Sequence, residues 1–363
     1  MKNFLFYQKE MCRIVHEYLK RYPRLNYLQR VWRYRNDEEF VSKVMKINND
    51  PYAIELKKFG ERNSEKNIYF VNIVGRKSIG FGVYLRQTLY GLYEAEYLGF
   101  VPVVYYQPQG CLYAENEKIN GTENPFEYYF EQVADVSVAD AYESARVFLY
   151  EAAHSVRIES RLGNMNPNMA GGYLVNNDVY MKEMARVFKQ YIHLKPVVQE
   201  KIFEDMRQLT PDGWERQQIL GVHIRGTDYA LNWVNHPKMV TVDEFMQAID
   251  EIMARHDYKY IFLATDDKRR LEVLRAKYDS KLIYYKDVFR GENELNIAME
   301  QSDRPLHHYL SGLEVLRDMY TLAHCDSLVC GLSQISIAAR IIHFAGDAPY
   351  TYLKVLDKGI YQG

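Results

Sequence analysis

The chain has 363 residues, 47% of them hydrophobic and 26% charged, the balance of a soluble globular protein long enough for about two cores. Lys plus Arg number 46 against 48 for Asp plus Glu, a formal net charge of -2, which gives no reason to expect nucleic acid or a strongly anionic membrane as partner. There is no apolar run of about 18 residues to span a bilayer, the N-terminal apolar stretch is too short for a signal peptide, and Cys12, Cys111, Cys325 and Cys330 lack zinc-like spacing.

These features imply a cytoplasmic protein with reduced thiols, at most resting on a membrane surface. In chain order, residues 11–47 read as helical, broken around Arg21-Tyr22-Pro23-Arg24. Ile68 to Val74 is an apolar run expected to be a buried strand, and it enters a loop, Gly75 to Gly82, with three glycines. A helical pattern from Val83 to Tyr97 and a strand from Phe100 to Tyr106 complete a βαβ unit. The glycine loop places backbone N–H groups at a helix start, where phosphate binds well, although a tight turn needs the same small residues. Tyr106 and Tyr113, beyond that strand, read as core residues, with a role facing ribose or acceptor as the alternative.

Residues 139–206 read as mostly helical, and Leu209-Thr210-Pro211-Asp212-Gly213 reads as a linker. The alternation then resumes. Ile219 to Arg225 is a strand, and Thr241 with Glu244 forms a capping box ahead of a helix striped by Val242, Phe245, Ile249 and Ile252. Strands follow at Tyr260–Ala264, Leu282–Tyr285 and Ser327–Cys330, separated by helical segments, and a last helix carries Ile337, Ile341 and Ile342. The expected architecture is α/β: two Rossmann-like domains facing across a cleft, residues 1–210 with extra helices and residues 211–363.

A parallel sheet in the second half opens three strand ends on one edge, where ligands of such sheets bind. They carry His223, Arg225 and Asp228; Asp266 and Asp267; and Ser333 with Gln334. A guanidinium leaving a buried strand needs an anionic partner, and a diphosphate matches its planar fork of donors. The plainer alternatives are an Arg225–Asp228 pair that ties a loop, and Asp266, Asp267 or Ser333 as N-caps. Asp318, on the helix before the 327–330 strand, could accept from paired ring N–H donors such as those of guanine, or be a solvated helix residue.

The runs His223-Ile224-Arg225-Gly226-Thr227-Asp228, Phe262-Leu263-Ala264-Thr265-Asp266-Asp267, and Asp318 followed by Asp326 to Gln334 resemble, in order, the three donor-site motifs of the α1,2/α1,6/protein-O-fucosyltransferase superfamily. The nearest likeness is to core α1,6-fucosyltransferases and rhizobial Nod-factor enzymes. Gly80-Phe81-Gly82 is similar to the glycine loop of their first half. Asn124-Pro125-Phe126-Glu127-Tyr128-Tyr129-Phe130 is similar to a segment of bacterial polysaccharide-linked relatives. The likeness covers about residues 68–130 and 219–345.

The resemblance implies a two-Rossmann (GT-B) enzyme that transfers fucose from GDP-fucose with inversion and without metal, to a glycan such as a bacterial surface polysaccharide. It implies that Arg225 holds the β-phosphate, that Gly80 and Gly82 offer backbone donors to it, and that Asp318 and His223 read the guanine. Asp266, Asp267, Ser333 and Gln334 would line the donor pocket. Charge left on a diphosphate needs a fixed cation or a metal, and the chain has Arg225 and no evident Asp-x-Asp metal signature.

Two positions depart from the family. Gly226 stands where a second arginine is common, and Trp233 stands where core enzymes carry the glutamate that deprotonates the acceptor. Asp228 and His236 are the candidate bases, with Asp243 also within sequence reach. The other readings are the same fold with a different nucleotide sugar, and a non-catalytic protein that binds GDP-sugar or glycan.

Overall fold

The computed structural model describes residues 54–75, 79–151, 154–163, 177–214, 218–226, 236–292, 302–346 and 348–361. The chain divides into two compact units, Met1–Ile54 and Glu55–Gly363. All elements below belong to the second; the helical reading of 11–47 lies outside the described residues.

The first sheet is built from β1 (Glu55–Lys57), β2 (Ile68–Ile73), β3 (Val101–Tyr106) and β4 (Val147–Leu149) in the spatial order β1-β4-β2-β3. β2 pairs in parallel with both neighbours, and β1 closes the edge antiparallel to β4. Between β2 and β3 runs helix α1 (Phe81–Leu98), two residues longer at its start than the periodicity predicts. Gly91 lets it lie flat on the sheet, since a Cβ there would stand 2.5 Å from Val71. Gly99, at φ 67°, ends it in the left-handed conformation that suits glycine, its N–H bonding Glu96 O at 3.0 Å.

The free edge of β3 is closed by side-chain amides. Asn124 Oδ1 accepts Tyr106 N–H at 3.0 Å, and Gln132 Oε1 accepts Val104 N–H at 2.9 Å. This gives the Asn124–Phe130 segment a structural task. The tyrosines of this half also serve as core residues with a polar tip: buried Tyr69 and Tyr90 donate to buried Glu94 and Glu159 at 2.7 and 2.8 Å. Four helices then follow or flank β4: α2 (Val138–Ala141), α3 (Ser155–Arg161), α4 (Asp178–Tyr191) and α5 (Pro196–Arg207). β4 itself interrupts a stretch that reads as helical, because three apolar-rich residues fit either period.

The second sheet is wholly parallel: β5 (Ile219–Ile224), β6 (Tyr260–Thr265), β7 (Leu282–Ile283), β8 (Ser327–Gly331) and β9 (Tyr352–Leu356), in the order β7-β6-β5-β8-β9. The order reverses between β5 and β8, the switch point of a doubly wound sheet. Its helices are α6 (Val242–Met253), α7 (Lys268–Tyr278), α8 (His307–Ala323) and α9 (Gln334–Ala345). Alternate residues of β5 feed two cores: Leu220, Val222 and Ile224 join Phe245, Ile249 and Ile252 of α6, while Ile219 joins Phe262, Leu322 and Leu328. The expected capping box is present, with Thr241 N–H donating to Glu244 Oε2 at 2.8 Å. α4 packs against both α9 and α1, so helices of the two sheets share contacts. Among the described residues no helix is long and apolar enough to cross a membrane.

Candidate active site

At the end of β5, Arg225 leaves the sheet with its side chain 19% exposed, and its Nη1 lies 2.5 Å from Asp266 Oδ2 at the end of β6. The other carboxylate oxygen, Asp266 Oδ1, accepts Gly226 N–H at 2.8 Å. One carboxylate thus fixes both the guanidinium and the backbone that follows it. Gly226 is required by close approach, because a Cβ there would stand 2.3 Å from Asp267 Cβ.

Asp267, expected beside Asp266 in the donor pocket, turns elsewhere. It caps α7 by accepting Arg269 N–H at 2.9 Å, receives Arg269 Nη2 at 2.9 Å, and has Arg270 Nε at 3.6 Å. It lines a separate depression with Met239, Val242 and Val273. The plainer N-cap alternative describes it.

His223, inward-facing on β5, places Nδ1 3.4 Å from Ser333 Oγ, which bridges the switch point from β5 to the start of α9. Burial, helped by the Arg225 charge, lowers its pKa to about 4 against the opposing pull of Asp266, so the ring is neutral at physiological pH. Ser333 is also the N-cap of α9, accepting Ser336 N–H at 3.0 Å. Gln334 opens that helix, and here the two sheets' helices meet: a Cβ on Gly82 would stand 2.8 Å from Gln334 Cβ. Gly80, the N-cap of α1, has open space at its Cβ position. The Phe81 amide between them donates to the Tyr113 hydroxyl at 2.8 Å, so one donor of the glycine loop is already engaged. Tyr113 and Tyr106 are both buried.

The ends of β5 and β6 open on one cavity of about 550 Å³ of empty volume, its mouth included, which α9 lines through Ile335 and not through Ser333 or Gln334, and which Gly80 and Gly82 do not line. His223, Arg225, Asp266 and Asp318 all line it. Burial raises the Asp318 carboxyl to about 7, against the opposing charges of Arg290 and Arg317. Arg290 itself is held by the Thr265 and Val288 carbonyls, each at 3.2 Å.

Six lining residues are not among the candidates the sequence offers: Phe289, Ser311 and Glu314, and the aliphatic Val288, Val315 and Ile335. A signal existed: Ser311, Glu314 and Asp318 recur at helical spacing along α8 and share one face. His236 does not line the cavity; its carbonyl accepts Tyr361 N–H at 3.0 Å, pinning it to the C-terminal segment. Asp243 is exposed in the first turn of α6, and Asp228 and Trp233 lie outside the described residues. Among the described residues no three His, Cys, Asp or Glu side chains cluster as a metal ion would need.

A fixed cation at a strand end, a neutral imidazole beside it and two helix N-termini nearby are the groups that stabilise negative charge gathering on phosphate oxygens. Residues 179–356 match the family model for the N- and catalytic domains of α-(1,6)-fucosyltransferase. This segment, just under half of the chain, is similar to the fucosyltransferase superfamily. The fucosyltransferase match takes in the whole second sheet and most of α4 together with α5, so it reaches further toward the N-terminus than the motifs do. It starts after the glycine loop and the Asn124–Phe130 segment, whose likeness rests on their own residues.

Solved fucosyltransferases are similar in structure. NodZ α-1,6-fucosyltransferase soaked with GDP-fucose has a TM-score of 0.47 at 15% identity, over 76% of this chain and 92% of its own. The NodZ structure described as from Bradyrhizobium has a TM-score of 0.45 at 15% identity, with the same coverage of 76% and 92%. POFUT1 in complex with GDP-fucose has a TM-score of 0.40 at 12% identity, over 82% and 99%.

Proposed function

We propose that the chain is an inverting, metal-independent glycosyltransferase that moves fucose from GDP-fucose to a hydroxyl of a glycan acceptor. The observation that carries this reading is the convergence of Arg225, His223, Asp266 and Asp318 on one cavity within the matched segment. Residues 211–363 hold the donor and residues 1–210 face the acceptor. The acceptor is a bacterial surface polysaccharide or its precursor, modified in the cytoplasm.

In the reaction the acceptor oxygen forms a bond to the anomeric carbon as the bond from that carbon to the β-phosphate oxygen breaks, and GDP leaves with the electron pair. Arg225 meets the charge that develops on the diphosphate, pre-aimed by Asp266 so that little reorganisation is needed. Neutral His223 and Ser333 sit at the switch point beside it. The carboxylate of Asp318 accepts from the guanine N1 and N2 donors. The acceptor proton passes to a base for which Asp228 and His236 are the candidates.

Calorimetric titration of the full chain with GDP, UDP and ADP, in chelator, tests the reading. GDP should bind in preference, and Arg225→Ala should lose most of that affinity and cut fucosyl transfer by about 10²–10³. Preference for UDP or ADP would sink the fucose assignment. GDP binding with no transfer to any glycan in an acceptor screen would leave a GDP-sugar-binding protein.

A further inference from the structure

The segment after β7 forms one side of the cavity, and it is fastened at several points. Gly291 N–H donates to Asp266 O at 3.0 Å, Arg290 Nε to Thr265 O at 3.2 Å, and Arg317 Nη2 to Asp287 Oδ1 at 2.7 Å. Within it stands Phe289, half-buried, with its free part lining the cavity. Two side chains fix the ring: His307 packs edge-on at 5.3 Å and the Arg304 guanidinium lies over it, 5.7 Å from the ring centroid.

Glu314 ties these parts together. Its Oε2 accepts Phe289 N–H at 3.3 Å, and its Oε1 takes a hydrogen bond from Arg304 Nη1. The Arg304–Glu314 ion pair is mostly withdrawn from solvent, with side chains 24% and 10% exposed. A buried pair of this kind gains little net stability but is costly to break, so it fixes a geometry. The geometry it fixes is an aromatic ring lining a cavity whose lining also includes aliphatic Val315 and Ile335 and the carboxyl of Asp318. A flat heteroaromatic ring with N–H groups on its edge suits that combination, since every base has a π-face to stack.

We propose that Phe289 is the face on which the nucleotide's purine base stacks, and that Glu314 is a positioning residue that holds Phe289 in place through its backbone and through Arg304. The inference rests on the donor-site reading above and names the residues that hold the base against the cavity wall. Phe289 lies outside every motif the sequence offers, and nothing about its neighbours in the chain marks it.

The test is titration of wild type, Phe289→Leu, Phe289→Tyr, Glu314→Gln and the Phe289→Leu/Glu314→Gln double variant with GDP, GDP-fucose, UDP and inorganic pyrophosphate. Phe289→Leu should weaken GDP by about 5- to 100-fold, with pyrophosphate affinity kept within about twofold, and Phe289→Tyr should restore GDP binding. Because Glu314 acts through Phe289, the double variant should bind GDP no worse than Phe289→Leu. Leucine fills most of the same volume, and unchanged pyrophosphate binding reports a folded phosphate end. GDP affinity unaffected by Phe289→Leu, or a loss confined to GDP-fucose (a ring contact with the sugar), would overturn the stacking role. Additive losses would overturn the positioning role of Glu314. A wild type that binds pyrophosphate without preference among nucleotides overturns this inference and spares the phosphate site; one that binds neither overturns the donor-site reading itself.

Discussion

At the cavity wall Asp318 has its carboxyl raised to about 7, so near neutral pH it is divided between protonated and ionised forms. The shift has a cost that can be followed through linkage. The ordinary value is 3.8, and the folded chain holds the proton more tightly than the unfolded chain. Asp318 therefore contributes stability below about pH 4, and that contribution is lost as pH rises through about 7. Asp318→Asn should raise the melting temperature at pH 8 relative to wild type, with the difference shrinking as pH falls below 7 and closing only at about pH 4. Guanine needs the ionised acceptor, so wild-type GDP affinity should climb from pH 6 to pH 8 while that of Asp318→Asn stays flat and weak. Melting curves and titrations across that range check both arms. A wild-type GDP affinity that does not change with pH would remove Asp318 from base recognition. His223 behaves in the opposite sense: lowered from 6.5 to about 4, it stays neutral in the folded chain and adds no slope to GDP affinity, while its contribution to stability rises with pH between about 4 and 6.5 in wild type and variant alike.

Element by element, the start of α7 shows how two adjacent carboxylates divide their work. Asp266 faces Arg225, and Asp267 caps the helix and gathers Arg269 and Arg270. Asp267→Ala should cost about 1–2 kcal/mol in a denaturant melt through loss of the cap, while GDP affinity measured by titration stays near that of wild type. A large loss of GDP affinity with unchanged stability would return Asp267 to the donor pocket. No pattern in the sequence separates these two residues, because adjacent positions with the same chemistry differ only in which way the backbone turns them at the strand's end. The elements that were legible share a physical reason: β5, β6 and β8 are continuous buried runs closed by polar or glycine residues, and α6 carries both a stripe and a cap. β1 and β4, at three residues each, and β9, only half-buried throughout, carry no such signal. On α8, Ser311 and Glu314 look like the polar face of an amphipathic helix, and only tertiary packing turns that face into a cavity wall.

At the scale of the molecule, the cavity proposed to hold the donor belongs to the second sheet, yet the start of α9 beside it packs on the first. Gly82 of α1 lies against Gln334 at the start of α9, and Tyr129 behind it donates to Tyr309 O of α8 at 2.9 Å while stacking on that ring at 5.4 Å. α8 presents Glu314 and Asp318 to the cavity and α9 presents Ile335, with Ser333 and Gln334 at its start, so the first sheet's loops set where these groups stand. This argues that a change with no chemistry of its own, made on the first sheet, reaches the nucleotide. Gly82→Ala puts a methyl 2.8 Å from Gln334 Cβ and 3.0 Å from its carbonyl carbon, atoms close to the backbone that cannot rotate away, so one helix end must shift. Overpacking of that kind costs about 1–3 kcal/mol, and the displaced α9 terminus should weaken GDP by about tenfold or more. Gly80→Ala is the matched control: its φ of -78° is open to any residue and nothing lies within 4 Å of the added methyl, so its melting temperature should equal that of wild type. Titration and melting of both variants decide the matter. If Gly82→Ala loses stability but keeps full GDP affinity, the start of α9 is not part of the phosphate site, and the charge on the leaving diphosphate rests on Arg225 and its strand end alone.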